Sequence, residues 1–309
     1  MNPLPTVPPG QDRRRLFDQE LIASLASGNI ENAREEARRV VNEGSLRLVP
    51  RAFLALAGEE SLSEFARKSK HYLGEDEFAF LEASIAFADS GQVEDAWRIL
   101  DAGKEDSWLL SRYHLAYWSH ILGRERESRA ILNETATLSS DFVFPSRPES
   151  IEALRFAARE TNDFKPYLLL GNLFAGLGRI EDAAELWREA ARRDPGSSVA
   201  HRNLAMVAWK RSNTLEEAAQ HMRLAIEARP SDQTLYRDLA RIHGERGRKK
   251  DAVQILESIP LEGRLRPDVT LELARAYVAE ERYDDAIQLL SKTTFSNWEG
   301  DSGTHRLYS

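Results

Sequence analysis

The chain of 309 residues contains no cysteine, which excludes disulfide bonds, thiolate metal ligands and cysteine nucleophiles. No apolar run approaches the roughly 18 residues of a membrane-spanning helix. The N-terminal segment also lacks the hydrophobic stretch of a secretory signal. Because Asp and Glu (50) outnumber Lys and Arg (42), the chain has no basic excess for nucleic-acid binding. We therefore expect a cytoplasmic protein with neither a membrane nor a nucleic-acid partner.

Motifs of catalysis are also missing. The sequence has no glycine-rich phosphate loop, no serine nucleophile elbow and no zinc-binding HExxH pattern. The seven histidines are scattered without metal-ligand spacing. Acidic pairs such as Glu216–Glu217 begin predicted helices, where negative charge complements the helix dipole. The sequence thus predicts no enzymatic activity, no cofactor and no metal site.

A repeat with a fixed period is present in the second half of the chain. Its most regular positions are four alanines separated by 35, 34 and 34 residues, namely Ala183, Ala218, Ala252 and Ala286. A period near 34 residues is typical of helix–turn–helix solenoids, in which each hairpin packs on its neighbours.

The best-formed unit predicts helices over residues 165–177 and 180–193. Gly171 is small where the second helix has to cross closely, and Gly178 lies just past the first helix, where a positive φ is favoured. Pro195 cannot extend a helix and ends the unit.

These residues resemble the tetratricopeptide repeat. The resemblance implies an all-α fold, a right-handed α-α superhelix of about eight helical hairpins. We assign the chain as follows: a flexible proline-rich tail (1–11), degenerate hairpins (12–140), an irregular connector with a helix (141–163), four well-formed units (164–294), and a tail or truncated repeat (295–309).

Residues 141–300 also resemble a bacterial group of large tetratricopeptide proteins. The segments that carry this likeness are DFVFPSRPESIEALRFA, RPDVTLELARAY and FSNWEG. In that group the repeats follow a β-rich domain similar to aldose epimerases, so the resemblance implies a fragment of a longer protein. We expect the apolar cluster Phe142–Phe144 to pack along the solenoid and not to form a strand.

The first helix of each hairpin lines the concave face in this family, and its outward positions follow from register. We select as groove residues Asn172, Arg202, Asn203, Trp209, Arg237, Arg241 and Arg275. Arginine suits bidentate capture of carboxylates or phosphates, so an acidic peptide or an anionic glycan would fit along this row. Asn172 and Asn203 match the two asparagines of carboxylate-binding relatives, but the cation positions of those relatives do not match. The alternative is that the arginines are solvated and pair locally with Asp238 and Glu272.

A second candidate is an aromatic patch on one predicted helix. Tyr113, His114 and Tyr117 share a face because they are separated by three and four residues. Such residues are frequent in binding hot spots. The alternative is that they belong to the core of a hairpin.

Two functions are compatible with these features. The first is a non-catalytic scaffold that binds a peptide or protein segment in the concave groove, an acidic partner being one option. The second, implied only by the bacterial resemblance, is an accessory module of a larger carbohydrate-active enzyme. The oligomeric state stays open, since an incompletely capped solenoid end could self-associate.

Overall fold

The computed structural model describes residues 9–28, 30–74, 76–211, 213–260, 265–293 and 295. They form 17 α-helices and one short 3₁₀ helix, with no strand in the described part. The chain divides into two compact units, one ending at Asp163 and one beginning at Phe164. None of the described helices is long and apolar enough to cross a membrane. The predicted class, an all-α superhelix of stacked hairpins, is confirmed.

Unit 1 contains four helical hairpins and one further helix. Its helices are α1 (Pro9–Ser27), α2 (Glu31–Asn42), α3 (Leu48–Leu56), α4 (Leu62–Leu73), α5 (Glu77–Asp89), α6 (Val93–Gly103), α7 (Leu109–Ile121), α8 (Glu125–Glu134) and α9 (Ser150–Glu160). The first eight pair in sequence order, whereas α9 packs against α7. The irregular segment between α8 and α9 begins with a 3₁₀ helix at Thr135–Thr137.

Unit 2 contains four regular hairpins. Its helices are α10 (Lys165–Gly176), α11 (Ile180–Arg193), α12 (Ser198–Lys210), α13 (Leu215–Ala228), α14 (Gln233–Glu245), α15 (Lys249–Glu257), α16 (Pro267–Ala279) and α17 (Tyr283–Ser291). The four periodic alanines are all buried. Successive hairpins share apolar clusters, so each unit of the repeat is completed by its neighbour.

The hairpin of α10 and α11 agrees closely with the sequence-based expectation. A Cβ on Gly171 would lie 2.6 Å from Nε1 of Trp187, so only glycine allows this close crossing. Gly178 adopts a φ of 78° in the turn. Both glycine predictions are confirmed.

The segment before α9 lies along unit 1 without forming a strand. Arg147 pairs with Glu82 of α5 at 2.6 Å. The predicted packing of its aromatic cluster is wrong, however, because Phe142 is 89% exposed and Phe144 is also exposed. Phe142 has a φ of 62°, an unusual value for a bulky residue. Most of the two predicted tails, residues 1–8 and 296–309, lies outside the described residues.

Candidate peptide-binding groove

A groove of about 550 Å³ opens in unit 2. Most of its lining comes from α12, α14 and α16, which are the first helices of three consecutive hairpins. The register argument predicted a groove on the first helices, and five of the seven selected residues line it: Arg202, Trp209, Arg237, Arg241 and Arg275. Their role in binding stays a prediction.

The two selected asparagines do not line this groove. The Asn203 amide donates a hydrogen bond to Oδ1 of Asn172 at 3.0 Å, and the same oxygen accepts one from Nε1 of Trp187 at 3.0 Å. These bonds join α10, α11 and α12. Asn172 Oδ1 and Asn203 Nδ2 are therefore already bonded within the protein, and the selection of these two residues as groove residues has no support from this geometry.

Charge is distributed unevenly around the groove. Six cationic and three carboxylate side chains line it, the cations being Arg202, Lys210, Arg237, Arg241, Lys249 and Arg275 and the carboxylates Asp238, Glu245 and Glu272. The excess of cations would attract an acidic ligand. We call this site the basic groove.

The arginines of the basic groove are not equivalent. Arg237 pairs with Asp238, which is only 3% exposed, at 2.8 Å, and also with Asp268 of α16. Arg241 donates a hydrogen bond to Glu272 of α16 at 2.7 Å. These two arginines thus link α14 to α16. Their pairing with Asp238 and Glu272 is the one that the local-pairing alternative predicted.

Arg202 and Arg275 have more freedom. Arg202 is half-buried and makes no hydrogen bond or ion pair with a residue that the structure describes. Arg275 is exposed and approaches Glu272 at 3.5 Å, a distance that leaves most of its donors for solvent or ligand. These two guanidinium groups are therefore the ones best placed to contact a ligand.

The floor of the basic groove is apolar and made of small residues. They are Ala240, Gly244, Ala252, Ala276 and Ala279, with Leu256 beside them. Apart from its chain neighbours and the backbone of its own helix, nothing lies within 4 Å of the position that a Cβ on Gly244 would take. At one end Nε1 of the buried Trp209 donates to Glu245 at 2.7 Å, and the Lys210 ammonium lies 3.1 Å from the Trp209 ring centre. A large apolar side chain of a ligand would fit this floor.

The predicted aromatic patch on α7 is wrong as a surface site. Tyr113 is 0% and His114 1% exposed, since α8 and α9 pack on this helix. Nε2 of His114 lies 3.0 Å from Oγ of Ser150, and burial lowers the pKa of His114 to about 3. Tyr117 is half-buried, with its ring 5.8 Å from that of Phe156. The core alternative therefore describes these residues.

Sequence reasoning missed several groove residues, among them Lys210, Gly244, Glu245 and Lys249. Continuing the helical register of α14 by three and four residues beyond Arg241 would have found Gly244 and Glu245. Among the described residues no group of three or more His, Asp or Glu side chains could hold a metal ion.

Two family models, both described as tetratricopeptide repeat, match residues 168–233 and 210–269. No curated protein matches the chain. The resemblance to proteins with an aldose-epimerase-like domain gains no support from these matches.

Solved structures of low similarity include three helical-repeat proteins. A chain of the APC/C hetero-tetramer Cut9–Hcn1 is 16% identical, with a TM-score of 0.44. The match covers 90% of this chain and 52% of that chain. PilF of Pseudomonas aeruginosa is 14% identical with a TM-score of 0.41, covering 70% of this chain and 89% of that one. A tetratricopeptide repeat protein of Parabacteroides merdae is 14% identical with a TM-score of 0.39, covering 95% and 100%. At these values the likenesses carry no argument about function.

The repeat pattern and the stacked hairpins show an all-α helical-repeat protein, and residues 168–269 of it match family models of the tetratricopeptide repeat.

Proposed function

We propose that the chain is a non-catalytic interaction scaffold and that its basic groove binds an extended acidic segment of a partner protein. The observation that carries this proposal is the combination of six cations at the walls with a floor of small apolar residues. Carboxylates of the ligand would pair with Arg202 and Arg275, and a bulky apolar side chain would lie over Gly244.

The first test reverses the two freer arginines. A fluorescein-labelled peptide of alternating Glu and Leu should bind the full chain, and the Arg202→Glu/Arg275→Glu variant should bind it at least about tenfold more weakly in anisotropy titrations. Arg188→Glu/Arg211→Glu is the matched control, because both arginines are exposed and neither lines the groove. An equal loss in the two double variants would contradict the proposal.

Arg237 is unsuitable for this test. Replacing it would leave the buried Asp238 carboxylate without its guanidinium partner, so loss of binding could follow from loss of structure.

A second test fills the floor of the groove. Gly244→Phe should abolish binding of the same peptide, whereas Gly244→Ala should retain it, because the added volume and not the loss of glycine blocks the site. Gly176→Phe provides the control, since Gly176 is also helical and open at its Cβ position but does not line the groove. Unchanged affinity in Gly244→Phe would exclude this floor as the binding surface.

A further inference from the structure

Unit 1 contains a groove of its own, with a volume of about 520 Å³. Its walls come from α1, α3 and α5, with Arg147 and Glu149 contributed by the segment that leads into α9. Helices α1, α3 and α5 are first helices of consecutive hairpins. The groove therefore occupies, within unit 1, the same position in the hairpin register as the basic groove does within unit 2.

The charge of this groove is opposite to that of the basic groove. Four carboxylates line it, from Asp18, Glu82, Asp89 and Glu149, against two guanidinium groups, from Arg47 and Arg147. We call it the acidic groove. The surrounding sequence has the same bias, since residues 1–163 contain 28 acidic and 20 basic side chains, whereas residues 164–309 contain 22 of each.

Both guanidinium groups are already bound by carboxylates of the acidic groove. Arg47 pairs with Asp18 of α1, and Arg147 pairs with Glu82 of α5 at 2.6 Å. Arg147 comes from the irregular segment and reaches the groove from outside the helix pairs. Burial raises the pKa of Asp18, Arg47 opposes this rise, and the nearby Glu82 adds to it. Positive charge brought by a ligand would favour the ionised form of Asp18, as Arg47 already does.

The acidic groove also offers apolar surface. Its lining includes the partly exposed side chains of Leu73, Ala79 and Ala86, whereas Ile22 and the other apolar lining residues apart from Leu46 are buried. Leu46 stands at its rim with more than half of its surface exposed. A ligand of small inorganic cations would leave this surface uncovered, whereas a chain with both apolar and basic side chains would cover it.

We propose that the acidic groove is a second binding site of this protein and that it takes a basic amphipathic segment of another protein, one of whose Arg or Lys side chains displaces Arg147 from Glu82. Arg147 then acts as an intramolecular competitor for the site. This inference is independent of the basic groove, which lies in the other unit.

The test uses the full chain and a fluorescein-labelled peptide in which Arg and Leu alternate. Glu82→Gln should weaken its binding about fivefold, the size expected for one partly exposed ion pair. Arg147→Ala should strengthen it by a similar factor, because the competitor is gone. The peptide of alternating Glu and Leu should show no binding at this site.

Matched variants outside the groove separate specific pairing from general attraction. Arg155→Ala and Glu152→Gln make the same changes of net charge in an exposed ion pair of α9 that does not line the groove. Both should leave the affinity unchanged. Equal effects of Arg147→Ala and Arg155→Ala, or a weaker affinity in Arg147→Ala, would overturn the proposal. Circular dichroism of each variant establishes that the fold is intact.

Discussion

At the scale of single residues, the absence of a Cβ at Gly171 allows α10 to pack closely on α11. Gly171 faces α11, where a Cβ would approach Nε1 of Trp187 to 2.6 Å and the Ala183 carbonyl oxygen to 3.2 Å. Gly176, at the end of the same helix, has nothing within 4 Å of its Cβ position. Packing therefore requires glycine at position 171, whereas position 176 lies at the surface and would accept a larger residue.

Gly171→Ala should lower the free energy of unfolding by about 1–3 kcal/mol, because Trp187 has to move and its hydrogen bond to Asn172 is strained. Gly176→Ala should raise the free energy of unfolding by up to about 1 kcal/mol through helix propensity. Urea titrations followed by circular dichroism measure both. A Gly171→Ala protein as stable as the parent would show that the crossing of α10 and α11 relaxes without cost.

At the scale of helices, two contacts of unit 2 involve histidine rings. On α12, Nε2 of His201 donates to the Pro195 carbonyl oxygen at 3.0 Å, and Nδ1 of the same ring lies 3.1 Å from Nδ1 of His221 on α13. On α14, Nε2 of His243 lies 3.2 Å from the Arg223 guanidinium of α13, and its Nδ1 lies 3.3 Å from the Asp251 carboxylate. A proton on Nε2 of His243 would face the positive charge of Arg223, and protons on both rings of the His201–His221 contact would place like charges together.

The stability of unit 2 should therefore fall in mild acid. Burial, then His201, lowers the pKa of His221, with Glu217 opposing and Arg188 adding to the effect. Burial, then Arg223, lowers the pKa of His243, with Asp251 opposing and Arg248 adding to the effect. Because the unfolded chain binds protons first, stability is fully present above the ordinary histidine pKa of about 6.5 and is lost as pH falls below it.

The measurement compares melting temperatures at about pH 7.5 and about pH 5.5, a window set by the ordinary histidine pKa. The parent chain should lose a few degrees more than His221→Gln, which retains a neutral side chain at both values. Identical pH dependence in the two proteins would remove this contact as a source of acid sensitivity.

At the scale of the whole molecule, the net charge of −8 resides entirely in residues 1–163, because residues 164–309 contain equal numbers of acidic and basic side chains. Self-repulsion destabilises a compact state and is screened by salt. The two units should thus differ in their response to ionic strength.

Raising NaCl from about 0.02 M to about 0.5 M should slow amide hydrogen exchange in the helices of unit 1 and leave that of unit 2 nearly unchanged. Hydrogen-exchange mass spectrometry resolves the two units in one experiment, so unit 2 is the internal control. A uniform response would mean that net charge does not limit the stability of unit 1.

Much of the fold and part of the site could be predicted from the sequence. The spacing of the four alanines gave the hairpins of unit 2, and helical register brought Arg202, Arg237, Arg241 and Arg275 to one groove. Register could not show that Arg237 pairs with Asp268 on the next first helix, because the offset between stacked hairpins decides such contacts.

The burial of the α7 aromatic residues was the other property that the sequence could not predict. Tyr113 and His114 are residue types that are common in binding patches, but α9 packs on their helix and buries them. Helix α9 is a single helix that does not belong to a hairpin. A repeat pattern cannot predict the position of a helix that lies outside its period.

The exposed ring of Phe142 has a practical consequence for work with this protein. A protease that prefers aromatic residues would find here an accessible side chain in an irregular stretch, between two elements that otherwise protect their peptide bonds by helical hydrogen bonding. Cleavage after Phe142 would sever the chain while α9 stayed packed on α7, so the two fragments would co-purify and separate only on a denaturing gel.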